Sequence, residues 1–197
     1  VNLLKDADLK AYPILVSTHD NGVVNTGDAG TYESPGFNQF NKVMAYVKLN
    51  DKEYVLDAAQ KETPAHLVPP DILMTEGMVI EKLETYEWGW RSLADQHHLS
   101  KNIIQTIGSI DEQGKMEGQI TISSFDYARL SRASTAKKGK EKFTEKYLTE
   151  PGVAVEDLSF ENLDSDSLPL VQKIKFTQSL NSSGDYKHFS ANILSGF

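Results

Sequence analysis

Residues 38–59 read NQFNKVMAYVKLNDKEYVLDAA. Between Lys42 and Asp57, apolar and polar residues alternate on both sides of Asn50-Asp51, the pattern of two short strands joined by a two-residue turn. The spacing predicts that Leu49 faces Lys52, Tyr46 faces Val55 and Met44 faces Asp57. Side chains alternate across a strand, so Lys42, Met44, Tyr46 and Lys48 share one face with Glu53, Val55 and Asp57. Val43, Ala45, Val47 and Leu49 share the other with Tyr54, Leu56 and Ala58. The second row is apolar and is the expected core face. The first is mixed and sets Lys42 diagonal to Asp57, about 7–8 Å apart before their side chains extend. A charge pair between them is expected.

Working outward, VNLLKDADLK has helical apolar spacing and AYPILVST reads as a strand. Residues 19–40, HDNGVVNTGDAGTYESPGFNQF, are rich in Asn, Gly, Asp and Ser and are expected to form a long loop. Beyond the hairpin come a proline-rich passage, TPAHLVPPDI, a short strand in GMVIEKL, and a linker or strand edge in YEWGWRSLADQHH. Tyr86, Trp88 and Trp90 alternate there. They are expected to pack at the junction between the two halves of the chain, with an aromatic platform for a peptide or carbohydrate as the second reading. The texture then changes. KNIIQTIGSIDEQGKMEGQITISSF is a hairpin pattern around EQGK. Residues 125–150 are rich in helix formers, with Tyr127, Leu130, Phe143, Tyr147 and Leu148 as an apolar stripe, although Gly139 lowers propensity by about 1 kcal/mol. Strands are expected in VAVEDLSFENLD, LVQKIKFTQSL and HFSANILSGF. This order implies an α+β fold with one sheet face covered by the helical segment.

The 197 residues carry a net charge of -8, 39% hydrophobic residues and no cysteine. A surface this acidic offers no concentration of Lys and Arg for phosphates, so no nucleic-acid partner is expected. No apolar run approaches the roughly 20 residues of a membrane span, so no membrane insertion by this chain is expected. Disulfides, thiolate metal sites and Cys nucleophiles are excluded together. The five histidines lack metal-ligand spacing, and no cofactor is implied. Asp164 and Asp166 in LDSDSLP lack the Gly and closing Glu of a calcium loop and are expected in a surface turn.

The run from AYPILVSTHDNG through FNQFNKVMAYVKLNDKEYVLDA resembles the second half of a bacterial transglutaminase-like domain, of the type related to papain-like proteases and peptide N-glycanases. In that family the nucleophile is a Cys at the start of a buried helix. A His opens the central strand after a phrase like QFNH, and an Asp closes the next in a phrase like FLDAT. On this correspondence Lys42 stands at the His position and Asp57 at the Asp position, a vestigial triad, while a Cys-bearing segment would precede Val1 or be absent. The later HHLSKNIIQTIGSIDEQGKMEGQITIS resembles the uncharacterised C-terminal domain that follows in exported proteins of Bacteroidetes. The resemblance implies a partial, cysteine-proteinase-like antiparallel sheet over residues 1–92, followed over 93–197 by a mixed domain with a mainly antiparallel sheet. It also implies an exported, periplasmic or cell-surface location and packing against an upstream domain of a parent protein.

A Cys–His–Asp triad needs a thiolate, an imidazole that exchanges a proton near neutral pH, and a carboxylate to orient it. Lysine's reference pKa lies about 4 units above histidine's, and a neighbouring carboxylate favours the charged form further. Lys42 is therefore a poor general base. No nucleophile-elbow or Ser-Lys spacing marks Ser17 or Thr18. The expected function is a non-catalytic binding or structural module, with Gln39, Asn41 and Tyr46 lining a remnant cleft for a peptide or glycan. The alternatives are a fragment of a cysteine protease or transglutaminase-like enzyme acting on peptide amides, with its nucleophile in an N-terminal segment, and a piece of scaffold from a larger protein.

Overall fold

The computed structural model describes residues 1–26, 37–82, 87–184 and 186–189. Tyr86 and the last part of the predicted strand HFSANILSGF lie outside the described residues. The chain divides into two compact units, Val1–His98 and Leu99–Phe197. It is α+β, and every strand pairing described is antiparallel.

The first unit opens with a single helical turn, α1 (Asn2–Asp6), and is otherwise one sheet in the order β3-β2-β1-β4-β5. Its strands are β1 (Ala11–Val16), β2 (Lys42–Leu49), β3 (Lys52–Leu56), β4 (Glu76–Lys82) and β5 (Glu87–Ser92). The segment around Trp88, expected as a linker or strand edge, is an edge strand. The β2–β3 hairpin has the predicted register, with Leu49 opposite Lys52 and Tyr46 opposite Val55. Asn50 and Asp51 both adopt positive φ, 48° and 63°, the conformation of the mirror-image turn that matches strand twist.

Of the row expected to face the core only Val47 is buried, at 4% exposure, and the main core cluster lies on the other row. Met44, Tyr46 and Val55 are buried and pack with Ile14, Val16, Ile72, Val79 and Leu93, whereas Val43 is 63% exposed and Leu49 44%. The reason lies in the segment 57–75, which runs through successive turns. It buries Leu67 and Ile72, and Val68 and Ile72 join the cluster on the Met44 face. Cover by a distant segment decided the matter over the apolar count of each row. Tyr46 consequently belongs to the core and does not line an open cleft.

The second unit is a sheet in the order β6-β7-β9-β8, made of β6 (Ser100–Ile110), β7 (Lys115–Phe125), β8 (Val153–Glu161) and β9 (Leu170–Ser179). A small hairpin of β10 (Asn181–Ser183) and β11 (Tyr186–His188) follows. Between β7 and β8 lie two helices, α2 (Asp126–Ala136) and α3 (Lys140–Tyr147), where one interrupted helix was expected. The break falls at Gly139, whose φ of +122° is open to glycine and strained for other residues. The buried face of α2 is Ala128, Ala133 and Ala136 with Arg129 and Arg132, so Tyr127 and Leu130 do not form the inner stripe. Phe143 and Leu148 do reach the core, against Ile120, Ile122, Ile174 and Phe176.

One buried polar set in this unit is joined by hydrogen bonds, while the buried Arg129 Nε and Gln178 Oε1 have no such partner. The fully buried Gln172 accepts from Arg132 Nη1 at 2.9 Å and donates to Ser124 Oγ at 2.8 Å. The Arg132 guanidinium also lies over the Tyr147 ring, 4.5 Å from its centroid, and burial pushes its pKa down to about 10. Gly108 and Gly118 stand opposite each other in the β6–β7 ladder. A Cβ on Gly118 would lie 2.3 Å from the Ile107 carbonyl oxygen, and one on Gly108 2.8 Å from that of Glu117.

Both tryptophans of the chain, Trp88 and Trp90, lie in the first unit, so their fluorescence reports its unfolding. Met44→Ala is expected to cost about 2–5 kcal/mol and Val43→Thr less than about 0.5 kcal/mol in urea titrations. The opposite ranking would return the core to the Val43 face.

Candidate functional site

The polar residues of the first unit gather at one end of its sheet, where β1 ends, β2 begins and β3 ends. In the β1–β2 ladder Val16 pairs with Lys42 and Ile14 with Met44. Lys42 therefore follows Met44 and Tyr46 along the buried row and stands where that row reaches the sheet's end.

The Lys42 ammonium is 2.5 Å from Asp57 Oδ2 and 2.7 Å from Asp71 Oδ2. The expected pairing with Asp57 is present, and Asp71 is a second carboxylate that sequence reasoning missed. Asp57 is held in turn, its Oδ1 accepting the Ala59 N–H at 2.9 Å. Asp71 Oδ2 accepts from Gln60 Nε2 at 3.2 Å, and the Gln60 Oε1 accepts from Thr63 Oγ1 at 3.2 Å. The Asp57 side chain is only 5% exposed, that of Lys42 21% and that of Asp71 32%. Burial alone would lower the Lys42 pKa, but the hydrogen bonds to Asp57 and Asp71, with their negative charge, outweigh it and raise the pKa above the usual 10.5. The amine is charged at neutral pH and has no lone pair to offer.

Gln39 and Asn41 stitch the chain around this end. Asn41 Oδ1 accepts the Thr18 N–H at 3.0 Å, and its Nδ2 donates to Thr18 Oγ1 at 2.6 Å. Gln39 Oε1 accepts the Asn25 N–H at 2.8 Å, and the Gln39 carbonyl accepts from Asn21 Nδ2 at 3.1 Å. Both side chains are committed to neighbouring backbone and hydroxyl groups. The hydroxyls of β1's extension are committed as well. The buried Ser17 Oγ donates to the Gly22 carbonyl at 2.7 Å, and the Thr18 hydroxyl donates to the Asp20 carboxylate. That hydrogen bond holds the Asp20 carboxyl below the ordinary carboxylate range, which makes it a weaker base. His19 belongs to the same stitching, since its N–H donates to the Asp71 carbonyl at 2.9 Å and its Nε2 to the Leu73 carbonyl at 2.7 Å.

Trp88 and Trp90 lie on β5, opposite Ile80 and Met78. Trp88 is 41% exposed, and its ring meets that of Trp90 edge-on at a centroid distance of 6.2 Å. Phe40 lies 6.1 Å from Trp90. Phe40 and Trp90 make the surface continue toward Gln39, and Tyr46 is not part of it. Tyr46 instead lies under Arg91, whose guanidinium carbon is 5.8 Å from the ring centroid.

Among the described residues no group of three or more His, Asp or Glu is arranged to hold a metal ion, and no helix is long and apolar enough to cross a membrane. Comparison of the chain with protein-family models, with curated proteins and with solved structures finds no match.

Lys42→Met leaves two carboxylates facing each other without their cation. The expected loss is about 1–3 kcal/mol, less than the 3–5 typical of a fully buried pair because Asp71 stays partly solvated. A raised folded pKa means that this contribution is fully present below the unfolded value of 10.5 and is lost as pH rises through the higher folded value. Urea unfolding should therefore show a constant gap between the parent protein and Lys42→Met from neutral pH to about pH 10, closing only above it. A gap that closes between pH 7 and 9 would show that the ammonium is not held as described.

Proposed function

We propose that the chain is a non-catalytic binding or structural module on a transglutaminase-like frame, with Lys42 and Asp57 in place of the proton-transferring pair of such an enzyme. The observation that carries this reading is the clasp of one ammonium by two carboxylates, at 2.5 and 2.7 Å. A general base must take up and release a proton near the working pH and lie within reach of the group it activates. Lys42 is protonated at that pH, and its charge is matched by Asp57 and Asp71. The Ser17 and Thr18 hydroxyls are spent on Gly22 and Asp20. An arrangement of this kind supports holding two strand ends and a covering segment together, in preference to transferring an acyl group.

On this reading recognition falls to the aromatic edge. Trp88, half-exposed and braced edge-on by Trp90, offers a flat apolar surface with an indole N–H, which suits a peptide side chain or the apolar face of a sugar ring. The ligand class is thus a peptide or a glycan. The setting, at the exported face of a bacterial cell and beside an upstream domain, rests on the resemblance alone.

Purified chain incubated with peptide amides is expected to give neither hydrolysis nor amide transfer above a no-protein control, and sustained turnover would overturn the proposal. Calorimetric titration with a panel of unmodified peptides and oligosaccharides tests the recognition part. A ligand found this way should bind Trp88→Ala at least about tenfold more weakly, roughly 1.4 kcal/mol, with the unfolding midpoint unchanged.

A further inference from the structure

The two edges of the second unit's sheet are built differently. β8 breaks its register with a bulge between Val155 and Asp157 and carries Glu156, Asp157 and Glu161, the devices by which sheets refuse another strand. β6 has no bulge and a single charge, Lys101 near its start. It runs Ser100–Ile110 without a proline or an acid, its ladder with β7 is continuous from Lys101 to Ile110, and no described strand pairs with its outer side. Every residue of β6 is exposed, including isoleucines on both faces of the sheet. Ile103 and Ile107 on the open face are 48% and 68% exposed, and Ile104 and Ile110 on the helix face 43% and 42%. A long, regular, apolar edge of this kind is a template for strand addition.

The sequence of β6 also specifies what completes it. We propose that β6 pairs antiparallel with β6 of a second copy of this chain, about a two-fold axis at Gln105, joining the two sheets into one. Gln105 is the midpoint of the strand, so this register overlaps it along its whole length. Ile103 then faces Ile107 of the other copy, twice, and Ile104 faces Thr106, twice, giving β-branched pairs on both faces. The one charged residue, Lys101, faces Ser109, so the net charge of -8 on each copy brings no like charges together across the seam. An axis perpendicular to the sheet keeps open face with open face and helix face with helix face. The pairing supplies about ten main-chain hydrogen bonds, the number carried by a specific interface of ordinary size.

Because the chain has no cysteine, a single introduced thiol can cross-link only to another copy. Sedimentation equilibrium of the full chain at about 100 µM, which populates a dimer of micromolar dissociation constant, is expected to give twice the monomer mass of 21.9 kDa. Gln105→Lys places two ammonium groups opposite each other on the axis and should weaken the dimer about tenfold or more. Under mild oxidation Gln105→Cys should cross-link, while Ser109→Cys, which faces Lys101, should not. A monomer at that concentration overturns the proposal, whatever else the strand then binds. A dimer indifferent to Gln105→Lys, or equal cross-linking at positions 105 and 109, places the contact elsewhere and overturns it equally.

Discussion

The first unit is organised by the need to keep one ammonium and two carboxylates together at the end of a sheet. Lys42 opens β2, Asp57 follows β3, and Asp71 lies on the segment that covers the apolar face. Withdrawing these charges from water costs several kcal/mol per ion, and the cost is recovered only where the geometry is close and the remaining lone pairs find donors. The Ala59 N–H serves Asp57 Oδ1 and the Gln60 amide joins Lys42 on Asp71 Oδ2, while the buried Asp71 Oδ1 has no hydrogen-bond donor. The clasp therefore constrains three chain segments at once. It places the covering segment on the Met44 face, and with it the position of Ile72 in the core.

How much of this was legible in the sequence follows from the range of each interaction. The hairpin was, since Asn50 and Asp51 tolerate the positive φ that a tight turn demands, and the turn then sets which residues face one another. The strands β4, β6, β7, β8 and β9 were, because alternation is local. The main core face of the hairpin was not, although Val47 of the expected row is buried. Val43, Ala45, Val47 and Leu49 form the more apolar row, yet the covering segment with Val68 and Ile72 closes over the other, and no local pattern encodes that choice. Asp71 escaped notice for the same reason, being 29 residues from Lys42 in a proline-rich stretch. The one available signal was an acid directly after two prolines and before a buried isoleucine. Gly139 was visible as a weak point, but that it would end one helix and begin another depended on its backbone turning to positive φ.

The second unit solves a different problem. Its α2 helix meets the sheet through alanines, which allow close approach but bury little area each, and through two arginines whose stems add apolar cover. Arg132 is tolerated because Gln172 accepts from it and passes its own donors to Ser124, and because the Tyr147 ring offers its negative face to the cation. A buried polar chain whose members all have partners is rigid and unforgiving of substitution. It fixes where α2 crosses the sheet more closely than a row of methyl groups could.

The glycine pair at positions 108 and 118 bears on how the long β6–β7 hairpin finds its pairing. Ile, Thr, Ser and Gln recur along both strands, so a slip by two residues would preserve every inside and outside assignment and lose little side-chain complementarity. At the glycine pair the backbones approach so closely that a carbon in place of either hydrogen would strike a carbonyl oxygen. Any slipped pairing would bring a side chain into that constriction and force the strands apart. Two residues with no side chains thus act as the notch of a key. They encode alignment by what they leave out, in a hairpin whose side chains supply cohesion and very little address.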